Sequence, residues 1–178
     1  MIHIRALRQD DDFHDLITLS KDFFHEYEAH HEDFFKIEQL HDSDIVDYFS
    51  RWLDDENGKT FIALSENRIV GYITVYVREQ AVYWKVKKVG DISGLMVHRG
   101  YRRRGIASQL LAHARAFFAE HAVRYFTLYT AVENKAAIAF YQHNGLVPLH
   151  TTMIGVSSIA PDSLPTQQAT SRRKDRGQ

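Results

Sequence analysis

Residues 97–107 read Val-His-Arg-Gly-Tyr-Arg-Arg-Arg-Gly-Ile-Ala, an apolar strand end, a basic glycine-bearing turn and a helix start in direct succession. That arrangement binds anions. The first amides of a helix have no intrahelical partner, the helix dipole places partial positive charge there, and Gly105 lets backbone approach a phosphate. Arg102, Arg103 and Arg104 add full charge around the same point. A Walker turn would need Lys and then Ser or Thr after the second glycine, whereas Ile106 and Ala107 follow Gly105. The three glycines of a dinucleotide fingerprint are absent as well. The richest histidine segment, His25-Glu26-Tyr27-Glu28-Ala29-His30-His31, has Ala where a zinc-protease helix needs its second histidine, so a catalytic metal is rejected. No cysteine exists to act as nucleophile, thiolate ligand or disulfide partner, which fits a reducing compartment.

The elements that must position this turn follow from the pattern of apolar residues. Ile2 to Arg8 alternates like a short strand, and Asp10, Asp11 or Asp12 is placed to cap the next helix. That helix runs from about Asp12 to Glu28 through Leu16, Phe23 and Tyr27, and a second spans about Ser43 to Leu53. His30 to His41 lies between them as a loop facing a ligand. From Thr60 the period becomes that of strands: Phe61–Ser65, Ile69–Arg78, and Ala81–Val97 with an interruption near Lys87 to Gly90, an antiparallel meander. The apolar stripe Ile106, Leu110, Ala114, Phe117, Phe118 marks a helix ending near Glu120, followed by a strand over Val123–Thr130. A short helix over Asn134–His143 stops at Asn144-Gly145, where a left-handed cap is expected. Two last strands are read at Leu146–Leu149 and Thr151–Val156. After Val156 the composition turns to Ser, Thr, Gln and Pro without aromatics, so 157–178 reads as a disordered tail.

At 178 residues and 44% hydrophobic content the chain suits one domain with a real core, over 1–156. No segment is long and apolar enough for a membrane span, and a cytoplasmic protein is the expectation. The net charge of −1 hides an asymmetry: residues 10–57 carry −13 and residues 58–178 carry +10. Solvated helix faces account for most such carboxylates; the functional alternative is a molecule with an anionic ligand on one lip and a cationic one on the other.

Leu95-Met96-Val97 followed by Arg102-x-x-Gly105-x-Ala107 and a helix resembles the acyl-CoA signature of the GCN5-related N-acetyltransferases. Asn134-Lys135-Ala136-Ala137-Ile138-Ala139-Phe140-Tyr141-Gln142-His143-Asn144-Gly145-Leu146 is similar to the same family's second element, with Leu146 in place of its final Phe. Both stand in the family's order and separation. The resemblance implies an α/β (α+β) fold, β-α-α-β-β-β-α-β-α-β-β, with a mixed, largely antiparallel central sheet flanked by about four helices. It also implies an N-acetyltransferase that takes acetyl-CoA as acyl-donor cosubstrate, with no metal.

By that resemblance, backbone amides from Arg103 through Gly105, Ile106 and Ala107 to Ser108 cradle the pyrophosphate, with Arg102 and Arg104 beside them. The strand edge at Leu95, Met96 and Val97 pairs with the pantetheine arm, and one of its amides polarises the thioester carbonyl. Such a donor is worth roughly 2.7–4 kcal/mol. Tyr141 is implied as general acid toward the departing thiolate, against a plain core aromatic; Asn134 binds the CoA arm, caps its helix, or both. Where some relatives carry a catalytic Glu this chain has Tyr129. Asp91 is the candidate base, beside a water relay or the acceptor's own lowered pKa, with Ser93, Glu133 and His98 as weaker options. Glu26, Glu28 and His30 fall where relatives build the acceptor pocket, which suggests a cationic amine of a small molecule or a peptide Lys or N-terminal amine. Expected partners are that acceptor and a second copy of the chain, without nucleic acid or membrane. Two other classes compete: an acyl-CoA sensor without turnover, and a nucleic-acid module using Tyr101 and the arginines.

Overall fold

The computed structural model describes residues 1–31 and 33–157. Met1–Leu146 forms one compact unit. In it β1 (Ile2–Ala6), α1 (His14–Glu28) and α2 (Asp42–Ser50) precede a meander of β2 (Gly58–Ser65), β3 (Arg68–Glu79) and β4 (Lys88–Val97). A single 3-10 turn (Arg99–Tyr101), α3 (Ile106–Glu120), β5 (Phe126–Leu128) and α4 (Lys135–His143) complete it. The sheet order is β1-β2-β3-β4-β5, antiparallel throughout except for the parallel pair β4–β5.

The alternation of β2, β3 and β4 builds a core on each face of the sheet. On one face, Ile73, Val75, Ile92 and Val97 meet α3, whose stripe Ile106, Leu110, Leu111, Ala114, Phe117, Phe118 is fully buried. Burying each large side chain of that stripe contributes about 1.5–3 kcal/mol, which makes α3 the best anchored helix and fixes its N-terminus against the end of β4. On the other face, Ile62, Ile69, Tyr72 and Met96 meet Leu16 and Leu19 of α1 and Ile45 and Phe49 of α2. Polar side chains set the chain's turns there. Asp11 binds the Arg5 guanidinium through both oxygens and accepts the Arg8 N–H; burial opposes ionisation, but the Arg5 bond holds this carboxyl below its usual range. Asp12 accepts the His14 N–H at 2.9 Å, but the N-cap of α1 is Phe13, which makes no side-chain cap bond, so none of Asp10, Asp11 and Asp12 caps the helix as expected. Asp15 bonds Arg68 and the Ile69 N–H, tying α1 to the β2–β3 turn.

Three further expectations change. The strand expected over Ala81–Val97 begins at Lys88, because residues 81–87 close a hairpin turn in which the Gln80 N–H bonds the Lys87 carbonyl and the Trp84 N–H that of Ala81. β5 shrinks from Val123–Thr130 to Phe126–Leu128, the stretch that has a partner in β4. The two strands read at Leu146–Leu149 and Thr151–Val156 are absent from the described residues: period-2 apolarity becomes a strand only with a ladder partner, and 147–157 joins no sheet. Residues 147–157 lie outside the Met1–Leu146 unit, in a second one. The tail read over 157–178 lies outside the described residues after 157.

Candidate functional site

β4 is the strand around which the site is built. Its antiparallel pairing with β3 continues to Val97↔Gly71, whereas its parallel pairing with β5 covers only Gly90↔Phe126, Asp91↔Thr127 and Ile92↔Leu128. At the same point the β3–β4 register slips: Val75 faces Ile92 and Thr74 faces Gly94, so Ser93 is an extra residue, a β-bulge that bends the strand. Beyond Ile92, among the described residues, no strand pairs with the edge of β4 that faces away from β3. A backbone edge left open in this way accepts an extended ligand as an added strand.

That edge runs into the basic turn. His98 Nδ1 accepts the Gly100 N–H at 3.2 Å and starts the 3-10 turn; Arg103 takes φ +62° and Gly105, the N-cap of α3, takes φ +76°. Space is not what requires glycine at 105, since a Cβ there would meet nothing nearer than 3.9 Å; the left-handed backbone is. It aims the free amides of Ile106, Ala107 and Ser108 outward at the positive end of a 15-residue helix. Arg102 turns inward instead. Its Nε donates to the Val97 carbonyl at 2.9 Å, and its Nη2 to both oxygens of Glu26 at 2.8 and 3.1 Å; Arg99 Nε donates to the same carboxylate at 2.9 Å. Burial opposes ionisation of Glu26, but the bonds from Arg102 and Arg99 outweigh it and hold the carboxyl below its ordinary range. Arg103 and Arg104 stay exposed, Arg104 lying 5.2 Å over the Tyr101 ring.

The α4 segment stands beside the end of α1. Asn134 caps the helix, its Oδ1 accepting the Ala137 N–H at 3.1 Å. At the other end the Gly145 N–H bonds the Gln142 carbonyl and the Leu146 N–H that of Tyr141, with Gly145 at φ +82°, the left-handed cap expected there. Tyr141 is half-buried, and burial with the neighbouring Tyr27 pushes its phenol up to about 12. Tyr27 in turn packs on Phe23 and Phe35 at the end of α1.

The residues expected to handle the acceptor have other partners. Glu28 accepts the Ile37 N–H at 2.9 Å, a bond that holds its carboxyl low and fixes the α1–α2 loop. His30 packs edge-on against Tyr27, and His31 Nδ1 accepts the N–H groups of Asp33 and Phe34. Asp91 is 6% exposed and has both oxygens engaged: Arg78 Nε donates to one and Thr127 Oγ1 to the other, which ties β3, β4 and β5 across one row. Glu133 is exposed, 3.8 Å from Lys135. The pattern reading passed over Tyr48, whose hydroxyl lies 2.5 Å from Ser93 Oγ at the bulge. Gly94 inside an apolar strand was the available signal for that bulge, while nothing local points to its partner 45 residues earlier.

A model of the acetyltransferase (GNAT) family matches residues 20–146. No curated protein matches the chain in sequence. Among solved structures, a tetramutant of the BH1408 protein from Bacillus halodurans is similar over 86% of this chain and 99% of its own, with TM-score 0.75 and 19% identity. The aminoglycoside N-acetyltransferase AAC(6')-Iy, in complex with CoA, is similar over 89% and 96%, with TM-score 0.71 and 18% identity. The aminoglycoside 6'-N-acetyltransferase AAC(6')-IG from Acinetobacter haemolyticus is similar over 88% and 99%, with TM-score 0.68 and 15% identity. At these identities the likeness is one of fold.

Proposed function

Since the chain belongs to the GNAT acetyltransferase family and is therefore an acyltransferase, we propose that it moves an acetyl group from acetyl-CoA directly to a primary amine within one ternary complex, residues 1–156 being the transferase domain. The observation that carries this reading is the open edge of β4 leading through the basic turn at 98–105 to the first amides of α3. The pantetheine arm adds to Leu95, Met96 and Val97 as a strand, and the pyrophosphate sits on the amides from Arg103 to Ser108. The inward-turned Arg102, with Glu26 and Arg99, clamps the end of α1 to this turn and so sets its shape.

In the transfer the amine nitrogen attacks the thioester carbonyl carbon, the C–N bond forms, and an amide of the β4 edge stabilises the developing oxyanion. The C–S bond then breaks, the thiolate takes a proton from Tyr141, and the cationic amide nitrogen gives up its extra proton through cleft water to the Tyr141 phenolate. A phenol held near 12 stays protonated at neutral pH, so Tyr141 carries its proton when the thiolate leaves. Asn134 reaches the CoA arm from the start of α4. An alkylamine with a pKa near 10.4 is neutral in only about one molecule in a few thousand at pH 7, so it must lose a proton before attack. We give that proton to water in the cleft and assign Asp91 to holding β3, β4 and β5 together, because Arg78 and Thr127 already fill its oxygens.

A cationic acceptor draws support from the acid surplus of residues 10–57 and from the aminoglycoside acetyltransferases among the similar folds, rather than from Glu26 and Glu28, which are engaged elsewhere. The test is a screen of spermidine, kanamycin A and a lysine-containing peptide with acetyl-CoA, read by mass spectrometry. An acetylated amine with an equal amount of free CoA is expected; acetyl-CoA binding without any acetylated product establishes the sensor reading instead.

A further inference from the structure

Resting on the transfer reading above, we propose that Ser93 receives the acceptor's N–H at the point where β4 leaves β5, and that Tyr48 is the positioning residue that holds Ser93 for it. Ser93 lies between buried Ile92 and buried Gly94, yet as the extra residue of the bulge it is exposed. Its Oγ is 2.5 Å from the Tyr48 hydroxyl and 3.5 Å from the Thr74 carbonyl. Behind this pair the hydroxyls of Thr60 and Thr74, 2% and 0% exposed, bond each other at 2.9 Å.

Each hydroxyl has one proton to give, and that fixes the direction of the chain. A carbonyl only accepts, so the Ser93 proton goes to the Thr74 carbonyl. The short bond between Tyr48 and Ser93 must then be donated by Tyr48. Ser93 Oγ is left with one unfilled acceptor position on its exposed side. A group that only accepts reads N–H donors and gives nothing to carbonyls or ethers, so it selects an amine. Burial pushes the Tyr48 phenol up, so it keeps the proton this polarity needs. No carboxylate takes part in the chain, so it orients an amine without the strong stabilisation of the ammonium form that a carboxylate gives.

The experiment uses the full chain, acetyl-CoA and whichever of spermidine, kanamycin A or the lysine-containing peptide wild type acetylates fastest. Steady-state KM for the amine, calorimetric Kd for acetyl-CoA, the melting temperature and the pH profile are measured for Ser93→Ala, Ser93→Thr and Tyr48→Phe. Ser93→Ala and Tyr48→Phe should each raise the amine KM about tenfold, the scale of one lost hydrogen bond to an amine. The acetyl-CoA Kd should stay within about twofold, and the pH limb should remain that of the amine. Ser93→Thr, which keeps the hydroxyl, should restore the amine KM. Should Ser93→Ala fail to fold, Tyr48→Phe carries the test alone. An unchanged amine KM in Tyr48→Phe, or an equal loss in acetyl-CoA affinity, overturns the inference. Wild type that transfers to none of the three amines overturns the transfer reading beneath it.

Discussion

The donor side and the acceptor side of this cleft are made from different materials. On the donor side the working groups are backbone: the unpaired edge of β4 after Ile92 and the first amides of α3, set by one left-handed glycine. On the acceptor side they are side chains brought from four elements, Tyr48 of α2 reaching Ser93 of β4, with Thr60 of β2 and Thr74 of β3 behind. Backbone groups are present whatever the side chains are, so a donor site of this kind tolerates wide sequence change. A hydroxyl chain fails with the loss of one oxygen, which makes the acceptor side the place where specificity can diverge.

The largest expected effect is at Tyr141, the one side chain on which the transfer step depends: Tyr141→Phe should lower kcat by about 10²-fold or more, with acetyl-CoA affinity kept. With the wild-type phenol near 12, no limb from Tyr141 should enter the kcat profile between about pH 6 and 9. A Tyr141→Phe enzyme with wild-type kcat removes the phenol from the mechanism.

Asp91→Asn comes next and separates scaffold from base. Thermal unfolding should show about 1–3 kcal/mol of lost stability from the weakened ties to Arg78 and Thr127. The alkaline rise of kcat/KM should survive, and its disappearance would return Asp91 to the role of base. The smallest effect belongs to Glu26→Gln. Loosening the clamp on Arg99 and Arg102 should raise the acetyl-CoA KM by about threefold, a weakened rather than a lost hydrogen-bonded pair, with kcat unchanged. The clamp also carries a pH sign. Because the folded carboxyl is depressed, its contribution to stability is present above the unfolded value and is lost as pH falls through the folded one. Acid denaturation followed by circular dichroism should therefore show Glu26→Gln losing less stability on acidification than wild type.

What the sequence made legible follows the same division. The turn from Val97 to Ala107 and the segment from Asn134 to Leu146 are local, so residue type and spacing carried them, down to the left-handed cap at Gly145; Gly105 was read for close approach, whereas its left-handed backbone is what needs glycine. The meander and the four helices were legible from periodicity for the same reason. The partners of Glu26, Glu28 and Asp91 were not, because each bond is made at a distance along the chain: Glu26 meets Arg102 76 residues on, and Asp91 meets Thr127 36 residues on. A carboxylate read as free for an acceptor is thus a clamp in the fold. The two last strands failed on another ground, since alternation describes a face and only a neighbouring edge makes a strand.

If acetyl-CoA binds on backbone groups at the β4 edge and the α3 N-terminus, calorimetric titration of acetyl-CoA into wild type and Gly105→Val will register it. A β-branched residue at φ +76° is strained by about 1–3 kcal/mol and turns the amides away. The account predicts one site per chain in wild type and an affinity about 10- to 100-fold weaker in the variant, with the fold retained by circular dichroism. Equal affinity in the two proteins would contradict it.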